Sequence, residues 1–97
     1  MPRLAKDGKI YDTELATLVT GGFRPEQPWV HRSLYRTQHG TWFFFDQHKR
    51  NSISDLWRGF ARWEITPLLP DDARRYLESM RQVETLLQWF PDDYKPA

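Results

Sequence analysis

An α+β domain is expected here: a small antiparallel sheet of about three strands, packed by a short N-terminal helix and a long C-terminal helix. Two stretches carry that expectation. Residues 29–45 hold two aromatic, β-branched runs around a glycine-containing connection, which is a hairpin signature. Residues 70–90 repeat apolar side chains at three- and four-residue steps behind a proline and two aspartates, which is a helix signature. The 97 residues allow one domain, with a core over about residues 8–90 and flexible ends at 1–7 and 91–97.

In chain order, Gly8-Lys9-Ile10-Tyr11 reads as a short strand. A helix then opens at Asp12 or Thr13, whose side-chain oxygens can accept an N–H of the first turn. Leu15, Leu18 and Val19 form its apolar stripe, and Gly21-Gly22 ends it. Pro25 and Pro28 keep the next connection extended.

The hairpin follows, with strands from Trp29 to Tyr35 and Thr41 to Phe45 around Thr37-Gln38-His39-Gly40. Trp42 and Phe44 oppose Phe43 and Phe45 across the second strand, so both of its faces are aromatic. Such a strand is expected at the centre of its sheet, with both faces covered or one used for binding. Lys49 to Ser52 reads as loop, and Ser54 to Trp57 as a short helical turn broken near Gly59. Arg62 to Thr66 alternates as a third strand ending at Pro67. Pro70 opens the last helix, and Ala73, Tyr76, Leu77, Met80, Val83, Leu87 and Phe90 carry it unbroken to Pro91, about 31 Å at 1.5 Å per residue. Leu86 and Trp89 widen its apolar face, enough to cover the sheet's rim or to meet a second copy in a homodimer.

Composition narrows the chemistry. Cysteine is absent, which removes disulfides and thiolate chemistry. The polar segment Met1 to Ile10 lacks a signal-peptide core, and no run nears the ~20 apolar residues of a membrane span. A cytoplasmic location in a host cell, without membrane attachment, is expected. His31, His39 and His48 stand in a strand, a turn and a loop without metal-ligand spacing, so no metal and no cofactor is expected. Ser52 or Ser54 with His48 and Asp55 lacks the setting of a nucleophile elbow. The adjacent carboxylates Asp71/Asp72 and Asp92/Asp93 diverge on a helix, and the Gly-Gly pair closes a helix where an anion site would open one. No enzymatic activity is expected.

Charge is uneven along the chain. Residues 21–63 hold seven basic side chains against three acidic ones, and residues 64–97 hold four against seven. In the basic stretch Arg32, Arg36, His48, Lys49, Arg50, Arg58 and Arg62 interleave with Trp42, Phe44 and Trp57, and these ten are the candidate partner-binding residues. Trp and Arg suit protein interfaces, because they bury much area at low entropic cost. Cationic grooves with stacking aromatics also serve single-stranded nucleic acid, so a small nucleic-acid-binding accessory protein is the alternative. A third reading puts the aromatics in the core, covered by arginine stems.

Three blocks carry a resemblance: Lys9-Ile10-Tyr11-Asp12-Thr13-Glu14-Leu15-Ala16; Leu34-Tyr35-Arg36-Thr37 before Gly40-Thr41-Trp42-Phe43-Phe44; and Ile65-Thr66-Pro67-Leu68. Together they resemble a group of small phage, plasmid and mobile-element proteins sharing a K-x-Y-D-T-E-x-A … L-Y-R-T-x-x-G-x-W/Y-F … P-L skeleton. Where that group carries a Gly-rich loop after the aromatic strand, this chain has Asp46-Gln47-His48-Lys49-Arg50. The resemblance implies a non-enzymatic protein that binds and inhibits a host defence complex. Its most concrete form is an anti-CRISPR protein blocking DNA binding or cleavage by an effector.

Overall fold

The computed structural model describes residues 2–5, 7–48 and 63–94. They form a four-stranded antiparallel sheet, a two-stranded hairpin on one of its faces and two helices on the other. The hairpin comprises β1 (Pro2–Leu4) and β2 (Ile10–Asp12). The sheet is a meander of β3 (Thr17–Phe23), β4 (Val30–Arg36), β5 (Trp42–His48) and β6 (Trp63–Leu68), in that spatial order. Helix α1 spans Pro70–Ser79, α2 spans Val83–Trp89, and a 3₁₀ turn covers Pro91–Asp93.

The aromatic hairpin forms as expected. Leu34 pairs with Phe44 and Tyr35 with Phe43, and the Thr37–Thr41 turn closes with Gly40 at φ 85°, a conformation that favours glycine. As an inner strand β5 is covered on both faces, and residues Trp42 to Asp46 are all buried. Leu34, Trp42 and Phe44 face the helices and pack with Ala73, Leu77 and Leu86. Phe43 and Phe45 face the small hairpin and pack with Ala5, Tyr11 and Ile65. The N-terminal segment expected to lie outside the core thus supplies Ala5 to it, and Arg3 stacks 3.9 Å from the Trp63 ring centre. Pro67 sits in β6, which pairs with β5 on one side, so its missing N–H breaks no bond of a central strand.

Three expectations need correction. The first concerns the helix at residues 12–22, where the structure has one turn and then a strand. Asp12 does cap: its carbonyl accepts from Leu15 and Ala16 N–H, and its carboxylate accepts from Glu14 N–H at 2.9 Å. The chain then extends, because Val19 gains more from packing on the sheet's helix face than from one isolated turn. Gly21 is a strand residue, and a Cβ there would meet the Ser33 hydroxyl at 3.3 Å. The second is the strand count: β3 brings the large sheet to four strands.

The third is the single C-terminal helix, which breaks in two. Gln82 N–H donates to the Leu77 carbonyl and Arg81 N–H to that of Glu78, both at 3.0 Å, with Arg81 at φ 54°. That is a Schellman ending with arginine in the position where glycine is usual. The break folds α2 back so that Leu86, Trp89 and Phe90 reach the core. Arg81→Gly is therefore expected to raise the unfolding free energy by about 0.5–1 kcal/mol, checked by the urea midpoint, since only the arginine carries a left-handed penalty. The turn expected at Ser54–Trp57 lies outside the described residues.

Candidate functional site

Of the ten basic-aromatic residues singled out by sequence, five are described, and four of these, Arg32, Arg36, Trp42 and Phe44, lie on the helix face of the sheet, in or over its core. Arg32 is spent internally: its Nε and Nη2 each donate to a carboxylate oxygen of Asp46 at 2.8 Å, and its guanidinium lies 4.1 Å from the Phe44 ring centre. Those hydrogen bonds raise its already high pKa. Trp42 and Phe44 are core residues, so neither offers a stacking surface. Trp42 stacks on Phe90 at 5.2 Å and meets Trp89 edge-on, while Phe44 meets Tyr76 edge-on. Arg36 covers this cluster, 5.8 Å from Trp42 and 5.6 Å from Trp89. The core reading of the aromatics, with arginine as cover, holds for these positions. His48 ends β5 opposite Val30, half-buried. Lys49, Arg50, Trp57, Arg58 and Arg62 lie outside the described residues. Leu86 is buried and Trp89 packs on Trp42, so the pair suggested for a homodimer already serves the core.

A groove of about 400 Å³ opens where the Thr37–Thr41 turn, the end of β6 and the β1–β2 turn come together. Asp7, Lys9 and Tyr11 form one wall, Gly40, Thr41 and Trp42 a second, and Pro67 to Pro70 with Asp72 the third. Each wall is built locally. The Asp7 carboxylate accepts from Lys9 N–H at 3.0 Å and from the Tyr11 hydroxyl at 2.5 Å, while Gly8 turns the chain at φ 80°. The Thr37 hydroxyl accepts from Thr41 N–H at 3.0 Å. Asp72 accepts from Leu69 N–H at 3.1 Å, which holds the start of α1 and leaves the Leu69 side chain 69% exposed.

Both carboxylates of the groove are thus engaged in holding backbone. The Tyr11 hydroxyl and the Lys9 N–H hold the Asp7 carboxyl below the usual range. Burial, reinforced by Asp7, pushes the Tyr11 phenol up to about 12. A phenol whose folded pKa exceeds its unfolded value of about 10 adds stability that is complete below pH ~10 and lost as pH rises through about 12. The urea midpoint is therefore expected to fall across that window, and Tyr11→Phe to flatten the fall. Burial raises Tyr76 in the same direction, so part of the slope remains.

All three sequence blocks quoted above reach this groove: Lys9 and Tyr11 from the first, Gly40 to Trp42 from the second, Pro67 and Leu68 from the third. The candidates drawn from charge and aromaticity included only Trp42 of these. Asp7-Gly8 and the Leu69-Pro70-Asp71-Asp72 helix start were the available signals for the rest, a turn dipeptide and a capping pattern. Among the described residues no group of His, Cys, Asp and Glu is placed to hold a metal, and no helix is long and apolar enough to cross a membrane. Comparison with protein-family models, curated proteins and solved structures finds no match.

Proposed function

We propose that this chain is a non-enzymatic mobile-element protein that inhibits a host defence complex by protein–protein contact. Its most concrete form is an anti-CRISPR protein that blocks DNA binding or cleavage by an effector. The observation that carries the reading is the convergence of three distant sequence blocks on one groove. Its apolar lining of Pro67, Leu68 and Leu69 lies beside Asp7, Lys9 and Asp72. That arrangement suits an apolar side chain of a protein partner flanked by a charged one. Backbone hydrogen bonds hold its walls in place, so little ordering entropy is lost on binding. A standard interface takes about 800 Å² from each partner, so such a contact would extend past the groove onto its rim, where Leu69 is exposed.

The test is cleavage of target DNA by purified CRISPR effectors of the different types, with the chain added in stoichiometric amounts. Cleavage by one effector type is expected to stop. Leu69→Asp and Lys9→Glu, both at exposed positions, are expected to weaken inhibition about tenfold or more, equivalent to about 1.4 kcal/mol of binding. Undiminished cleavage by every effector overturns the reading, as does turnover of nucleic acid by the chain itself. Tight, steeply salt-dependent capture of bare oligonucleotides overturns it in favour of a nucleic-acid-binding role.

A further inference from the structure

The helical layer breaks where its sequence favours continuity. From Asp71 to Phe90 there is neither glycine nor proline, and Ala73, Tyr76, Met80, Val83, Leu87 and Phe90 recur at alternating steps of three and four. The chain nevertheless turns within Met80, Arg81 and Gln82, with Arg81 held at φ 54°. Only glycine adopts that conformation without cost. Helix α2 then starts without a side-chain cap, so the N–H groups of Val83, Glu84 and Thr85 have no helical carbonyl to donate to. The turn also leaves Met80, Val83 and Leu87 36%, 62% and 50% exposed. What fastens α2 is its side chains: Leu86 enters the core, and Trp89 and Phe90 meet Trp42 at 5.7 and 5.2 Å. A short, strained hinge therefore joins α1 to an element whose main contacts any identical core could supply.

We infer that α2 is exchanged between two copies of this chain. In the second state the hinge straightens, residues 70–90 form one helix, and α2 docks onto the core of the other copy while that copy's α2 docks in return. Leu86, Trp89 and Phe90 then meet Trp42 of the second copy as they meet their own, so the contact that holds α2 is kept. Straightening removes the left-handed residue and offers the Val83, Glu84 and Thr85 N–H groups the carbonyls of Ser79, Met80 and Arg81. At about 100° per residue, the continuous helix carries three apolar faces in order around its axis. Ala73 and Leu77 hold its own sheet, Met80, Val83 and Leu87 come next, and Leu86 and Trp89 hold the other sheet. The remaining side carries the polar Arg74, Glu78, Arg81 and Thr85. The middle face is left for the second long helix, which crosses it at the two-fold axis, so the stripe exposed in one chain is buried in the pair. Every segment lining the groove precedes the hinge, so the exchange is independent of the inhibitor reading.

An attached α2 competes at an effective concentration in the millimolar range, so the test is refolding of the full chain from urea at about 1 mM and, in parallel, at about 1 μM. Size exclusion with light scattering is expected to show a species of twice the 11.7 kDa of one chain after the concentrated refolding, and monomer after the dilute one. Because release requires α2 to leave a core, the dimer is expected to outlast dilution to about 1 μM by hours. Hydrogen exchange at the Val83, Glu84 and Thr85 amides is expected to be at least about tenfold slower in the isolated dimer than in the monomer. Arg81→Gly relaxes the turn and weakens a continuous helix, and is expected to lower the dimer yield at least about tenfold. Val83→Glu puts a carboxylate into the apolar crossing and is expected to do the same, with the monomer's circular dichroism unchanged at this exposed position. Monomer alone after concentrated refolding overturns the assignment, as does a dimer that dissociates at once on dilution. A dimer whose three amides exchange as in the monomer, or whose yield neither substitution lowers, overturns it equally.

Discussion

Replacing Phe43 with alanine is expected to lower the unfolding free energy by about 3–5 kcal/mol. Phe43 is fully buried and lies between two tyrosines, stacked on Tyr35 at 5.3 Å and tilted against Tyr11 at 4.9 Å. Truncation removes the apolar burial and both ring contacts, and the rigid sheet beneath cannot collapse into the space. A domain of this size is typically stable by about 5–15 kcal/mol, so the loss consumes a large part of the whole. Urea unfolding monitored by near-ultraviolet circular dichroism measures it directly. Phe43→Leu, which retains most of the volume, should cost less than half as much. The change also reaches the groove, because Tyr11 packs on Phe43 and forms part of one wall. A loss of under about 1 kcal/mol would mean that the β1–β2 hairpin does not rest on the sheet.

Breaking the Arg32–Asp46 pair is the second large effect expected. Asp46 is only 4% exposed, and its carboxylate receives both hydrogen bonds of the guanidinium. Asp46→Ala leaves the arginine without its counter-charge, and Arg32→Ala strands a buried carboxylate, at about 3–5 kcal/mol each. Replacing both with leucine should cost much less than the two losses added, because no unpaired charge remains. A double-mutant cycle in urea separates the pairwise energy from the packing each residue supplies. The pair also acts on the register, since Asp46 on β5 is flanked by Arg32 on β4 and Glu64 on β6. Two carboxylates in directly opposed positions repel, and the arginine on the other side offsets that repulsion. If each single substitution costs no more than an ordinary surface change, the pair contributes little and the register rests on the aromatics alone.

The hairpin could be read directly from residue order, because its signals are local. Aromatic alternation over Trp42 to Phe45 and the glycine at position 40 specify strand, face and turn within a dozen neighbours. The start of α1 was equally plain in Pro70, Asp71 and Asp72. Its end was not, since Arg81 adopts a conformation usually marked by glycine and nothing else in the sequence announces the break. At β3 the local pattern misled. Leu18 and Val19 continue a helical stripe from Leu15 as well as they fit a bulged strand, and Gly21-Gly22 reads as a helix stop whichever applies. Choosing between those readings requires the pairing with β4, which no window of neighbours contains.

The candidate site divides in the same way. Residue order alone placed Trp42 to Phe45 on a central strand with two aromatic faces, and left open whether both are covered or one serves a partner. Only the folded chain decided what encloses them: the helices over Trp42 and Phe44, and the β1–β2 hairpin over Phe43 and Phe45. It also decided that Arg32 answers Asp46, fourteen residues away, instead of facing a partner. The groove likewise assembles from segments at residues 7–11, 40–42 and 67–72. Periodicity and turn chemistry act between close neighbours in the chain, whereas burial and ion pairing act between close neighbours in space. The second set exists only once the strands have paired.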